Sequence, residues 1–168
     1  GSGYVVSRQS GSFYPMGTTP QEMGNNLPII RLGTSRKVTA MECARDSVCV
    51  IMDNNDIKCW GEAPLDNRGG HDASKMGDHL PPIDMTIVNS ILGIGDTTPI
   101  SLKCGSFQFC ALLSGGSVAC WGTNNYGEVG SATASNTRPI NVVDLGTGLT
   151  AKMIAAGNQH TCALLSDD

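Results

Sequence analysis

The sequence is poor in charge and in aromatic rings. Only 15% of its 168 residues are Asp, Glu, Lys or Arg, and 5% are Phe, Trp or Tyr. With 11 basic against 15 acidic residues the net charge is −4, so it lacks the positive footprint that neutralises phosphates, and direct nucleic-acid binding is not expected. No apolar run approaches the ~18–20 residues that span a bilayer, so membrane insertion is not expected either. Gly1-Ser2-Gly3 carries neither an initiator Met nor a signal-peptide core, and the chain reads as a mature or excised piece. There is no Gly-x-Ser-x-Gly elbow, phosphate loop or dinucleotide fingerprint, and Gly93-Ile94-Gly95 is too short to count. No Cys-x-x-Cys occurs, and the intervals Cys43-x5-Cys49 and Cys49-x9-Cys59 are not those of common structural zinc ligands. Neither enzymatic chemistry nor a cofactor nor a metal is expected. No Asn-x-Ser/Thr sequon is present, so any glycan would be O-linked, with Thr18, Thr19, Thr97, Thr98 and the stretch 131–137 as acceptors.

What is present is glycine, proline and cysteine. Twenty-one glycines and 8 prolines punctuate a chain that is 40% hydrophobic, the composition of many short strands joined by turns around a packed core. Seven cysteines is a heavy load for a chain of this length.

The chain repeats itself. Met41 to Met52, followed by Ile57-Lys58-Cys59-Trp60-Gly61, matches Leu102 to Leu113 with Val118-Ala119-Cys120-Trp121-Gly122, sixty-one residues later and without a gap. A third copy begins at Met153 and runs through Gly157-Asn158-Gln159-His160-Thr161-Cys162 to Ser166, stopping before its Cys-Trp-Gly. Pro28-Ile29 with Leu32-Gly33-Thr34, and Pro139-Ile140 with Leu145-Gly146-Thr147, mark outer strands and connecting loops between copies. The repeat units are therefore about 1–61, 62–122 and 123–168 of a single partial domain whose first and last units are incomplete.

Each complete copy is a hairpin. Asp53-Asn54-Asn55-Asp56 and Ser114-Gly115-Gly116-Ser117 supply residues that tolerate the left-handed turn conformation. The flanking strands are nearly continuous in apolar residues, which implies burial on both faces. Units of 50 to 60 residues containing several such strands predict an all-β propeller of short, mostly antiparallel strands.

Gly157-x-x-His160-Thr161-Cys162-Ala163-Leu164-Leu165-Ser166 and Cys120-Trp121-Gly122-x-Asn124-x-Tyr126-Gly127-x-Val129-Gly130 closely resemble repeats of the regulator of chromosome condensation family. The resemblance weakens at residues 41–61, where Asp46-Ser47-Val48 replaces Gln-His-Thr, and fades before residue 28; Glu62-Ala63-Pro64-Leu65 diverges. It implies blades of a propeller that closes with about seven. Two complete hairpins and part of a third do not close such a ring, so the expected partners are neighbouring propeller segments or further copies of the chain, in a ring or a head-to-tail filament.

Cys49 and Cys59 are equidistant from Asn54, and Cys110 and Cys120 from Gly115, which places each pair directly opposite across its hairpin within disulfide reach. Disulfides Cys49–Cys59 and Cys110–Cys120 are expected; the alternative is reduced core cysteines copied by duplication. Cys162 has no such partner. Cys43 and Cys104 share the position of Ala156 and are either core fillers or a link between blades. Hairpin disulfides would imply an extracellular or cell-surface location.

Trp60, Gly61, Trp121, Gly122 and, through the family resemblance, His160 read as blade-packing residues. Tyr126 is a candidate contact residue. His71 and His79 lie with Asp72 and Asp78 in the segment 67–80, read as an exposed polar loop. Asp53, Asp56, Asp167 and Asp168 fall at hairpin turns, where they cap backbone groups. These readings favour a non-enzymatic interaction or structural module of an extracellular assembly. A guanine-nucleotide exchange factor for a small GTPase and a secreted enzyme inhibitor are the alternatives that the family resemblance implies.

Overall fold

The computed structural model describes residues 19–26, 29–45, 47–61, 73–92, 97–132 and 140–166. His71, Asp72, Thr18, Asp46, Glu62–Leu65, Asp167, Asp168 and most of 131–137 lie outside them.

Three antiparallel sheets follow one another along the chain. The first holds β1 (Val38–Cys43), β2 (Ser47–Met52) and β3 (Ile57–Gly61); the second holds β4 (Pro99–Cys104), β5 (Gln108–Leu113), β6 (Val118–Gly122) and β7 (Asn141–Val142); the third holds β8 (Ala151–Ala156) and β9 (Thr161–Leu165). The β4 strand packs against β1 on one side and β8 on the other, so the sheets stand side by side as successive blades.

Both complete hairpins turn in the same way. Met52 donates its amide to Asp56 and accepts from Asn55, as Leu113 donates to Ser117 and accepts from Gly116. The last residue of each three-residue loop is left-handed, Asn55 at φ 67° and Gly116 at φ 81°, which is why Asn or Gly stands there. The copies even share an irregularity. Register shifts occur at Val38/Ala40, Pro99/Ser101 and Ala151/Met153, the same position in all three repeats.

The blades differ from the sequence units at their outer edge. Strand β7, which the repeat boundary at 122/123 gives to the third unit, pairs with β6 of the second sheet, Cys120 opposite Asn141. In the first blade the corresponding place is taken by Ile83, whose amide donates to Ile57 O (2.7 Å) as Val143 donates to Val118 O (2.8 Å). The segment 67–80 read as an exposed polar loop ends on the buried Leu80, and the residues just beyond it are built into the fold. Leu80, Ile83 and Val88 are buried, and Thr86–Leu92 forms a short helix, α1, that sequence periodicity did not announce. His79 and Asp78 stay exposed, and Asp78 accepts from Thr34 N (2.7 Å) and Thr34 Oγ1 (2.6 Å).

Two apolar layers lie between blades. Cys49, Ile51 and Ile57 of the first blade meet Leu102, Phe109, Ala111 and Trp121 of the second. Cys110, Leu112, Val118 and Cys120 of the second meet Ala151 and Ile154 of the third. A third cluster, with Leu32, Val50, Met52, Trp60 and Leu80, covers the far face of the first blade. The alternation follows the strand period of two: odd residues of β2 face the second blade, even ones face away. Lys58, buried on that far face, is satisfied by Leu32 O (2.6 Å) and Gly77 O (3.0 Å), a pairing that lets a charged side chain sit in the interior.

Candidate interaction surface

The cross-strand cysteines bond within their hairpins. Cys49 lies opposite Cys59 and Cys110 opposite Cys120; each pair has Cα atoms 4.1 Å apart and is joined as a disulfide. Both bridges face the next blade along the chain. Trp121 is fully buried and stacks on Phe109 with ring centroids 6.1 Å apart, while Trp60 packs in the far-face cluster. Gly61 and Gly122 share φ values of 116° and 117°; at Gly122 a Cβ would stand 2.4 Å from Phe107 O, so the chain passes too close for any side chain.

Contacts between successive blades repeat. Arg45 N donates to Ser106 O (3.3 Å), and one blade further Ser106 N donates to Asn158 O (3.0 Å). The Ser106 hydroxyl also meets Asn158 Oδ1. Gln108, almost wholly buried, extends Nε2 to Gly157 O (3.3 Å), and Cys110 Sγ lies 3.6 Å from Thr161 Oγ1. Every one of these contacts joins a residue to the blade that follows.

Among the described residues nothing covers the same face of the third blade. Gln108, Cys110 and Leu112 are buried, yet their equivalents His160, Cys162 and Leu164 are exposed, Leu164 by 44% against 4% for Leu112. Met153, on the same sheet, is 58% exposed. Among the described residues β9 pairs only with β8, whereas its equivalent β5 has β6 on its outer edge. Among the described residues nothing lies on the side of β9 where a Cys-Trp-Gly strand would pair, and Cys162 is a free, exposed thiol.

His160, read as a blade-packing residue, lies against its own blade. Its ring lies against Gly157, whose added Cβ would fall 2.3 Å from Cε1, and its carbonyl accepts from Gly157 N, but the side chain is exposed because nothing among the described residues stands where the third blade stands for Gln108. Tyr126 is 75% exposed on the loop after β6, which Glu128 braces by accepting from Tyr126 N (2.8 Å). Cys43 and Cys104 occupy neighbouring inner strands, with Cys104 Sγ 2.6 Å from Cys43 O. Among the described residues no group of three or more His, Cys, Asp or Glu could hold a metal ion, and no helix is long and apolar enough to cross a membrane.

A family model described as the regulator of chromosome condensation (RCC1) repeat matches residues 115–164, and a second model of the same description matches residues 100–128. Residues 100–164 match regulator of chromosome condensation repeats. The ultraviolet-B receptor UVR8 of Arabidopsis thaliana is 24% identical over 132 residues, which are 78% of this chain and 28% of that protein. In fold the RCC1-type blades are similar to human WBSCR16, with TM-score 0.61 and 18% identity over 84% of this chain and 34% of that one. They are also similar to Prp20p of Saccharomyces cerevisiae, with TM-score 0.56 and 18% identity over 79% and 30%. The chain spans about a third or less of the length of each relative. Its architecture is that of all-β propeller repeats.

Proposed function

We propose that this chain is a non-enzymatic interaction module of an extracellular or cell-surface assembly, and that the uncovered face of the third blade is where it meets its partner. The partner is a propeller blade of the same repeat type, supplied by a neighbouring segment or a second copy, which lends a Cys-Trp-Gly strand to β9. The observation that carries the reading is the contrast between Gln108, Cys110 and Leu112, sealed by the following blade, and His160, Cys162 and Leu164, exposed at matching positions. Open strand edges and apolar sheet faces are the features that β-strand addition uses. The paired hairpin cysteines are compatible with an oxidising compartment. Repetition of one head-to-tail contact gives a ring if the rotation closes and a fibre if it does not.

The test is a disulfide map of native protein taken from its source. Cys162 is expected to be bonded to the cysteine of a Cys-Trp-Gly strand, in the same or another polypeptide. A Cys162 recovered as a free thiol from the native particle contradicts the reading. Accelerated nucleotide release from a small GTPase would replace it with exchange-factor activity.

A further inference from the structure

Cys43 and Cys104 are the two cysteines that the hairpin bridges do not use and that the fold brings together. They hold the same place, the last residue of the inner strand, in consecutive repeats, where the third repeat has Ala156. The Cys104 sulphur lies 2.6 Å from the carbonyl oxygen of Cys43 and 3.9 Å from Glu42 Oε2, so the thiol of one blade rests on the backbone of the residue it would bond. The Cys43 side chain is exposed and Cys104 half-buried, so a small reagent can reach the first.

We propose that Cys43 and Cys104 form a reversible disulfide between the first and second blades, made by exchange with a small-molecule disulfide of the glutathione class. The Cys43 thiolate attacks one sulphur of the reagent, forming a mixed disulfide and releasing one reagent thiolate. The Cys104 thiolate then attacks the Cys43 sulphur and expels the second. Two protein thiols are oxidised, one small disulfide is reduced to two thiols, and the two protons pass to the departing thiolates through solvent.

The surroundings regulate the step. Burial, followed by the Glu42 charge, raises the Cys43 thiol above its ordinary value; the same causes, in the same order, push Cys104 up to about 11 from 9.0, with a smaller opposing effect from Lys103. Lys103 Nζ reaches Glu42 Oε1 at 2.5 Å, holding that carboxylate beside the thiols. Both cysteines therefore rest as thiols near neutrality, and exchange quickens as pH rises.

The experiment uses the full chain with its hairpin bridges intact and Cys162 replaced by Ser. After incubation with oxidised glutathione, the expected product has lost both remaining alkylatable thiols and the mass of two hydrogens, and yields one peptide pair joining Cys43 to Cys104; dithiothreitol restores both thiols. Cys43→Ser is expected to yield no such pair. Separate glutathione adducts on Cys43 and Cys104, or two thiols still free after the hairpin-bridged protein has been treated above pH 9, would overturn the proposal.

Discussion

Lys103 of the second blade reaches Glu42 of the first, Nζ to Oε1 at 2.5 Å, and the two residues occupy the same position in repeats sixty-one residues apart. The two repeats share a backbone and carry opposite charges where the neighbouring inner strands β1 and β4 meet. In the third repeat the position is Ala155, so this ion pair belongs to the first interface alone. Half-exposed pairs of this kind contribute little to stability. The consequence of this one is chemical, because it fixes a carboxylate beside Cys104.

That arrangement predicts thiol reactivity. Burial is the largest cause that raises the Cys104 thiol to about 11 and the Glu42 charge the next, so removing that charge lowers the value in part and raises the thiolate fraction at fixed pH. Glu42→Gln is therefore expected to speed iodoacetamide labelling of Cys104, measured by peptide mass at pH 8. An unchanged rate means that the carboxylate does not govern the thiol.

The stacked pair Phe109 and Trp121 lies in the layer between the first two blades, and Trp121 is fully buried. Trp121→Ala is expected to cost about 3–5 kcal/mol in denaturant unfolding, the range for deleting a buried large aromatic. Tyr126→Ala, at a 75% exposed position, is expected within about 0.5 kcal/mol of wild type.

Two glycines with left-handed backbones separate strain from crowding. A Cβ at Gly127 meets nothing within 4 Å, whereas one at Gly122 would lie 2.4 Å from Phe107 O and 2.8 Å from Gln108 Cα, both backbone atoms. Gly127→Ala should cost about 1 kcal/mol from its positive φ alone, and Gly122→Ala about 1–3 kcal/mol more. Thermal unfolding of the two variants gives the comparison.

Asp78 ties the segment before α1 to the loop at Thr34. The hydrogen bonds from the Thr34 hydroxyl and then the Thr34 amide hold its carboxyl below the ordinary 3.8. A carboxyl whose value is depressed in the folded state stabilises above its unfolded value and loses that contribution as pH falls through the folded one. Stability curves of wild type and Asp78→Asn should therefore differ at pH 6 and converge only as pH falls below 3.8 and through the lower folded value.

The repeated part of the structure was legible because each copy checks the other. Equal spacing of Cys49 and Cys59 around Asn54 states the strand register directly, and a register with period two also decides which face each residue takes. What could not be read is what the copies do not share. Ile83 fills an outer-strand place from a segment without strand periodicity, and α1 rests on the single buried Val88. Lys58 gave no sign of burial, because its acceptors, Leu32 O and Gly77 O, are carbonyls that any sequence could supply. The assignment of β7 to the second sheet was hidden for a different reason: repeat boundaries in sequence record duplication, while sheet boundaries record hydrogen bonding.

The uncovered third-blade face carries the functional account, and light scattering of the 168-residue chain beside its Leu164→Asp variant tests it most directly. The account predicts that the wild-type mass rises above the 17.5 kDa of one chain with concentration, while Leu164→Asp, folded by circular dichroism, stays at one chain. A wild-type chain that remains at one-chain mass at every concentration, indistinguishable from the variant, would contradict it.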